Sequence, residues 1–315
     1  MTGQFKSAWT VLSVAIVLVS IPTQARATSI AYITGGASIY AWDTTTNTVS
    51  LAGTPSAAGA SGSLDSLIFG PTGDIIYSAI CCNSLGTFNL STSASAFLAS
   101  VGSGAADMTL TPDQKNVLVS NAFNTTISQV NLSSHAVTTL TPGLRPDGLA
   151  FDAGGDLFAV LGLTEVAQIN PTTGAIIKTI STPNEPDGLT FDASTGMLYV
   201  ASDGGGFYTV PTDLSSATFT SVPGRVFDGI ASSGDLLYFV LRGQGGLLYD
   251  LSTSSVVETS PFISGADDIA PVAGLGSPPP NAVPEPATLT LTALGLAGVV
   301  RRSRRSFRYR RPSCS

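Results

Sequence analysis

Histidine occurs once and cysteine three times in 315 residues, and charged side chains make up only 11% of the chain. Two of the cysteines, Cys81 and Cys82, are adjacent and the third, Cys314, lies close to the C-terminus. That spacing supplies neither a disulfide framework nor the paired Cys/His ligands of a zinc site. Neighbouring thiols can close a strained eight-membered ring in an oxidising compartment or pack as two thiols in a loop, and both readings stand. The single imidazole, His135, falls in the turn NLSSHAV, and no serine stands in a G-x-S-x-G setting. A histidine base or a serine triad is therefore not indicated. Between the terminal segments no stretch carries a sustained helical period, so an α-helical body is excluded as well.

Basic residues are scarce in the body. From Thr28 to Val283 there are five Lys and Arg against twenty Asp and Glu, a formal charge of −15, while seven arginines crowd between Arg301 and Arg311. A body this acidic repels phosphate backbones, which argues against nucleic acid as a partner. The 43% hydrophobic content is too high for a disordered chain.

The N-terminus has Lys6, an apolar run from Ala8 to Ile21, and then Ala25-Arg26-Ala27. Charge, apolar run and small-x-small site come in the order of a cleavable export signal, with cleavage after Ala27. The competing reading is a buried first helix. Residues 1–27 are thus assigned to a signal peptide and residues 28–274 to the body.

A repeat dominates that body. RPDGLAFDAGGDLFAV from Arg145 and EPDGLTFDASTGMLYV from Glu185 start 40 residues apart, and weaker copies begin near Ser63, Gly104, Val226 and Gly265. Taking Asp147 as the marker, its equivalents are Asp65, Ala106, Asp187, Asp228 and Asp267, separated by 41, 41, 40, 41 and 39 residues. Each unit reads as four short strands. The first alternates, as at Leu149 and Phe151, and the second is continuously apolar, as in LFAVL from Leu157. The third ends in a polar turn such as NPTTG, and the fourth, such as AIIKTIST from Ala175, is the most polar. Four strands in about 40 residues with Gly, Asp and Pro turns describe a β-propeller blade. A β-sandwich would not impose an equal step on every strand group. Five units are complete. The sixth is split, with strands two to four at Ser29–Thr54 and its first strand in DDIAPVAG from Asp267, which closes the ring and hides its edges. The expected fold is therefore an all-β, six-bladed propeller. Seven blades, the alternative, would need one in which no strands are legible.

The pattern PDGLAFD..GDLFAV resembles NHL-type and gluconolactonase-like propellers over roughly Ser29 to Gly274. Members of the latter group hold a divalent metal with Glu, Asn and Asp from different blades. Here only Asn184 in PNEPDG is a suggestive match, because Glu165, Glu185 and Glu258 are misplaced for that set. Read from the repeat alone, Asp65, Asp147, Asp187, Asp228 and Asp267 ring one mouth of the central channel. Their oxygens would suit Ca²⁺, and no other cofactor is indicated. Equally, each Asp could cap the turn entering its blade, and the repetition in every blade favours that role. SDGGG, residues 202 to 206, lacks the lysine and helix of a phosphate loop and reads as a hairpin. Asn89, Asn124 and Asn131 match the glycosylation acceptor pattern.

After Gly274 the period stops. A proline-rich spacer, 275–282, leads into 283–315, where VPEP is followed by an apolar run, Ala287 to Val300, and by Arg301, Arg302, Arg304 and Arg305. Fourteen residues span roughly 21 Å as a helix, short of a ~30 Å hydrocarbon core. An ordinary tail anchor is the competing reading, with the short span against it. Motif, apolar helix and arginine cluster together resemble the PEP-CTERM sorting signal. That resemblance implies export in a Gram-negative bacterium, transient membrane retention through the C-terminal helix, and recognition of Pro284, Glu285 and Pro286, with Arg301 and Arg302 behind them, by an exosortase. It also implies a setting of extracellular polysaccharide and biofilm. The expected function is a surface- or matrix-associated binding or scaffold propeller with polysaccharide or envelope proteins as partners. The alternative is a metal-dependent hydrolase of the lactonase type, which three converging oxygen ligands beside a base would favour.

Overall fold

A computed structural model describes residues 30–56 and 62–271. The signal segment with Ala27, the spacer 275–282 and the sorting segment 283–315 lie outside the described residues. So do the two terminal helices expected there. No helix among the described residues is long and apolar enough to cross a membrane.

Twenty-four strands form six four-stranded antiparallel sheets. Five blades are continuous in sequence, and their innermost strands are Leu64–Phe69, Ala105–Leu110, Pro146–Phe151, Pro186–Asp192 and Phe227–Ser233. The sixth blade is split as the repeat predicts. Its innermost strand, Ala266–Pro271, pairs with Ile30–Gly35 through Ala31 opposite Pro271 and Ile33 opposite Ile269. This pairing joins the two ends of the described chain and completes the sixth blade.

Burial follows from each strand's place in its blade. Second strands are covered on both faces by neighbouring blades, and Leu157–Leu161 is buried at all five positions. Fourth strands form the rim, and Ile176–Ser181 is exposed along most of its length. The core is divided among the blade interfaces. Ala150, Phe158 and Val160 of the third blade, for example, pack against Leu189, Leu198 and Tyr208 of the fourth. Each buried side chain of this size contributes about 1.5–3 kcal/mol.

One irregularity recurs in all six blades. Along the innermost strand the pairing jumps between Leu64 and Leu67, Ala105 and Met108, Pro146 and Leu149, Pro186 and Leu189, Phe227 and Ile230. The partner strand of the split blade jumps likewise opposite Ala266 and Ile269. Each jump is a one-residue β-bulge, which lifts two residues out of the ladder and re-aims their side chains. The lifted pairs are Asp65-Ser66, Ala106-Asp107, Asp147-Gly148, Asp187-Gly188, Asp228-Gly229 and Asp267-Asp268.

Three of the second positions are glycine because the next blade is too close for a side chain. A Cβ at Gly148 would press on Asp187 O and Leu189 N, and one at Gly188 would meet the backbone of Asp228, Gly229 and Ile230. Gly148→Ala is therefore expected to lower stability by about 1–3 kcal/mol through overpacking. Gly196→Ala, at an open turn with φ of 68°, would instead show only the cost of a positive φ. Thermal unfolding of the two variants beside the parent checks the difference.

Candidate functional site: the acidic mouth of the channel

The six bulges set the chemistry of the channel. Asp65, Asp147, Asp187, Asp228 and Asp267 all line a cavity of about 610 Å³ at one mouth, together with Asp203, Glu185, Arg145 and Arg242. A constriction of about 30 Å³ follows, bounded by the bulge residues. Beyond it the opposite mouth opens into a second cavity of about 640 Å³, walled by Phe69, Phe151 and Phe191.

Two guanidinium groups stand among the carboxylates. Arg242 Nη1 donates to Asp203 Oδ2 at 2.6 Å, and Nη2 donates to Asp187 Oδ2 at 2.7 Å and Asp228 Oδ1 at 2.9 Å. Its Nε donates to Asp228 Oδ2 at 3.0 Å, giving a bidentate grip on that residue. Arg145 Nη2 donates to Asp147 Oδ2 at 2.8 Å. Among the described residues Asp65 and Asp267 form no ion pair; they hydrogen-bond to each other, and Asp267 also to Asp228. Among the described residues no three His, Cys, Asp or Glu side chains converge as a metal ligand set. Arg242 brings positive charge among these carboxylates.

The expected turn-capping role falls to other residues. Within the ring, the carboxylates bond to guanidinium groups and to one another rather than to the backbone N–H groups of their turns. The hairpin turns are capped by Asp152, which accepts from Gly154 and Asp156 N–H, and by Asp192, Asn170 and Asp250 in the same manner. The reason is the bulge, which turns the marker Asp away from its own turn and into the channel.

Two carboxylates invisible to the marker pattern form the floor. Asp107 follows the marker slot by one residue in the second blade, and Asp268 does so in the split blade. Asp107 accepts from Leu149 N–H at 2.8 Å and Met108 N–H at 2.7 Å. Asp268 accepts from Leu67 N–H at 3.0 Å and Ser66 Oγ–H at 2.7 Å. Each thus satisfies an amide that the bulge of the next blade has freed. The signal for them was the displaced acid in GAAD and the doubled acid in GADD. Arg242 and Asp203 were also missed, because they occupy the turn between second and third strands and not the repeat's marker. Asn184 lies outside the mouth, and its backbone bonds to Tyr208 Oη, Gly204 N and the Ser202 hydroxyl. His135 stands exposed in its outer turn at φ 58°.

Nine carboxylates facing two guanidinium groups cannot all ionise cheaply. Burial pushes Asp65 up to about 7 and Asp147 up to about 6, the latter restrained by Arg145. Asp267 is pushed up to about 10 by burial and then by the charges of Asp65 and Asp228. Burial raises Asp268 to about 6, opposed by its hydrogen bonds from Ser66 and Leu67. Asp187 and Asp107 are held well above the carboxylate range, first by burial and then by Asp147 and Asp268 respectively.

A raised carboxyl pKa means that the folded state binds more protons than the unfolded one above about pH 4, so stability falls as pH rises. The loss is expected to run through pH 6–7 and to continue towards 10 for Asp267. Asp267→Asn should raise the melting temperature at pH 8, by about 2–4 °C for each kcal/mol regained, and leave it nearly unchanged at pH 4. Arg242→Gln should cost on the order of 1–2 kcal/mol at pH 7, less than a fully buried pair because the guanidinium is half exposed. Unfolding curves at pH 4, 6 and 8 check both.

Residues 282–305 match the PEP-CTERM protein-sorting motif. A search of curated protein sequences finds no match to the chain. Among solved structures, the chain is similar to one in a nidogen/laminin complex, with 14% identity and a TM-score of 0.67 over 78% of this chain and 98% of the other. It is also similar to a protein of unknown function from Bacteroides caccae, with 16% identity and a TM-score of 0.62 over 78% and 99% of the two chains. Virginiamycin B lyase from Staphylococcus aureus aligns with 12% identity and a TM-score of 0.53 over 72% and 78%. At these identities the likeness is one of fold. Propeller body and matched tail together describe an exported six-bladed β-propeller that carries a PEP-CTERM sorting motif and, through it, is sorted to the cell envelope by an exosortase-type enzyme.

Proposed function

We propose that this propeller is a binding or scaffold module of the surface or extracellular matrix of a Gram-negative bacterium, exported by its N-terminal signal and sorted through its C-terminal motif. The observation that carries this reading is the direction of the last described strand. Ala266 and Asp267 line the acidic mouth, whereas Asp268 and Ile269 line the opposite one, so the chain leaves towards its sorting segment on the face away from the acidic mouth. The strand beginning at Ile30 runs antiparallel to it and enters from that same face. A propeller retained by its tail therefore turns the acidic mouth outward, towards cations, amines and hydroxyls of a polysaccharide or of neighbouring envelope proteins.

The polar inventory supports binding over hydrolysis. Four of the mouth's acids, Asp147, Asp187, Asp203 and Asp228, are engaged with its own arginines, and the single histidine stands on an outer turn. Calcium remains the cation to test against this arrangement. Added calcium competing with Arg242 would register as a thermal shift that chelator reverses and that grows in Arg242→Gln.

Intact-mass measurement of the mature protein tests the sorting half. In normal cells the mass should lack residues 1–27 and the segment beyond the motif. In cells without exosortase, or with Pro284-Glu285-Pro286 replaced by alanines, the C-terminal segment should be retained. An intact tail in normal cells would overturn it. Co-sedimentation of the protein with the host's extracellular polysaccharide, lost in Asp187→Asn/Asp228→Asn, tests the binding half.

A further inference from the structure

Cys81 and Cys82 stand beside the acidic mouth, next in sequence to one of its lining residues. They lie on Ile80–Cys82, the single helical turn among the described residues, between the second and third strands of the first blade. Ile80 lines the mouth itself. Both cysteines are exposed, and their sulfur atoms are 3.5 Å apart in hydrogen-bonding contact. The turn ends at Asn83 in the left-handed region, φ 51° and ψ 47°. Asn83 then holds the segment that enters the second blade, its Oδ1 accepting from Gly104 N–H and its carbonyl from Val101 N–H, both at 2.9 Å. Two residues beyond Gly104 begins the bulge pair Ala106-Asp107, which carries one of the floor carboxylates.

We propose that Cys81 and Cys82 form a reversible thiol–disulfide exchange site that uses a soluble or protein-borne disulfide as oxidant and, on closing, reshapes the rim of the acidic mouth. The chemistry is a two-step exchange. One cysteine thiolate attacks the oxidant's S–S bond, giving a mixed disulfide and releasing one thiol. The second cysteine then displaces the other half, so that an Sγ–Sγ bond forms while the oxidant's S–S bond is broken. The electron pair and both protons end on the two released thiols.

Geometry makes this site reversible and not a staple. Adjacent Cα atoms across a trans peptide are about 3.8 Å apart, below the roughly 4.4–6.8 Å of ordinary disulfides. The eight-membered ring is therefore strained, and strained exposed disulfides are the readily reduced ones. An exported chain meets disulfide oxidants that a cytosolic one does not. Drawing the sulfurs from 3.5 Å to about 2.05 Å twists the Cys81–Cys82 peptide. Ile80 on one side and the Asn83 anchor on the other must follow.

The proposal stands apart from what the mouth binds, and its test does not use a ligand. The full chain bearing Cys314→Ser is equilibrated in glutathione buffers of increasing oxidised fraction and read by intact mass and by hydrogen exchange. The expected result is loss of two hydrogens with no adduct. Mild dithiothreitol should restore the starting mass at least tenfold faster than it reduces an unstrained disulfide. Exchange at residues 80–83 and 101–104 should change with oxidation. Cys81→Ser and Cys82→Ser, each in that background, should take one glutathione and show no two-hydrogen loss. Two glutathione adducts, a disulfide-linked dimer or an unchanged mass in the parent would overturn the exchange site. Ring closure with unaltered exchange at 101–104 would overturn its effect on the rim.

Discussion

A single extra residue in the innermost strand of each blade governs the centre of this molecule. Without the bulge, the marker position would sit in the ladder with its side chain against a neighbouring blade, where an aspartate could not be tolerated. With it, two residues per blade leave the ladder and face the channel. The bulge also frees amides, and these need acceptors. Asp107 and Asp268 provide them across blade boundaries, while Gly148 and Gly188 let neighbouring backbones approach. Close approach of neighbouring blades at the channel and its acidic lining thus share one cause.

Crowding so many carboxylates has an electrostatic consequence that the protein answers in two ways. Arg242 binds three of them from the turn of the fifth blade, and Arg145 binds a fourth from beside its own marker. Of the rest, Asp65 and Asp267 are met by a hydrogen bond to each other. The mouth is consequently a place where charge changes with pH in the range where most surface carboxylates do not titrate. Its electrostatic attraction for cationic groups is set by that proton occupancy as much as by the number of acids.

The split blade ties this chemistry to topology. Because its innermost strand is the last one and runs from the acidic mouth to the opposite face, the route to the sorting motif begins on the side away from the acids. Closure within one continuous blade would instead end the chain on an outer strand.

Much of the architecture was legible from spacing. The 39 to 41 residue step, the alternation at Leu149 and Phe151, and the incomplete strand sets at the two ends led to six blades with a split sixth, because a fixed period and an unpaired edge each admit few solutions. The tail's motif was legible for a different reason, since it is a linear signal that needs no fold to be read. The marker aspartates were found, but their bonding was not. A side chain's direction at a bulge depends on pairing register, which no local pattern encodes. Asp107 and Asp268 sat one residue off the pattern, and Arg242 reaches Asp187 across 55 residues of chain. The sequence by itself determined the number of blades, the closure and the destination. Only the tertiary structure decided which carboxylates meet a guanidinium, which meet an amide and which share a proton, because those pairings are made across blades that only the closed ring brings together.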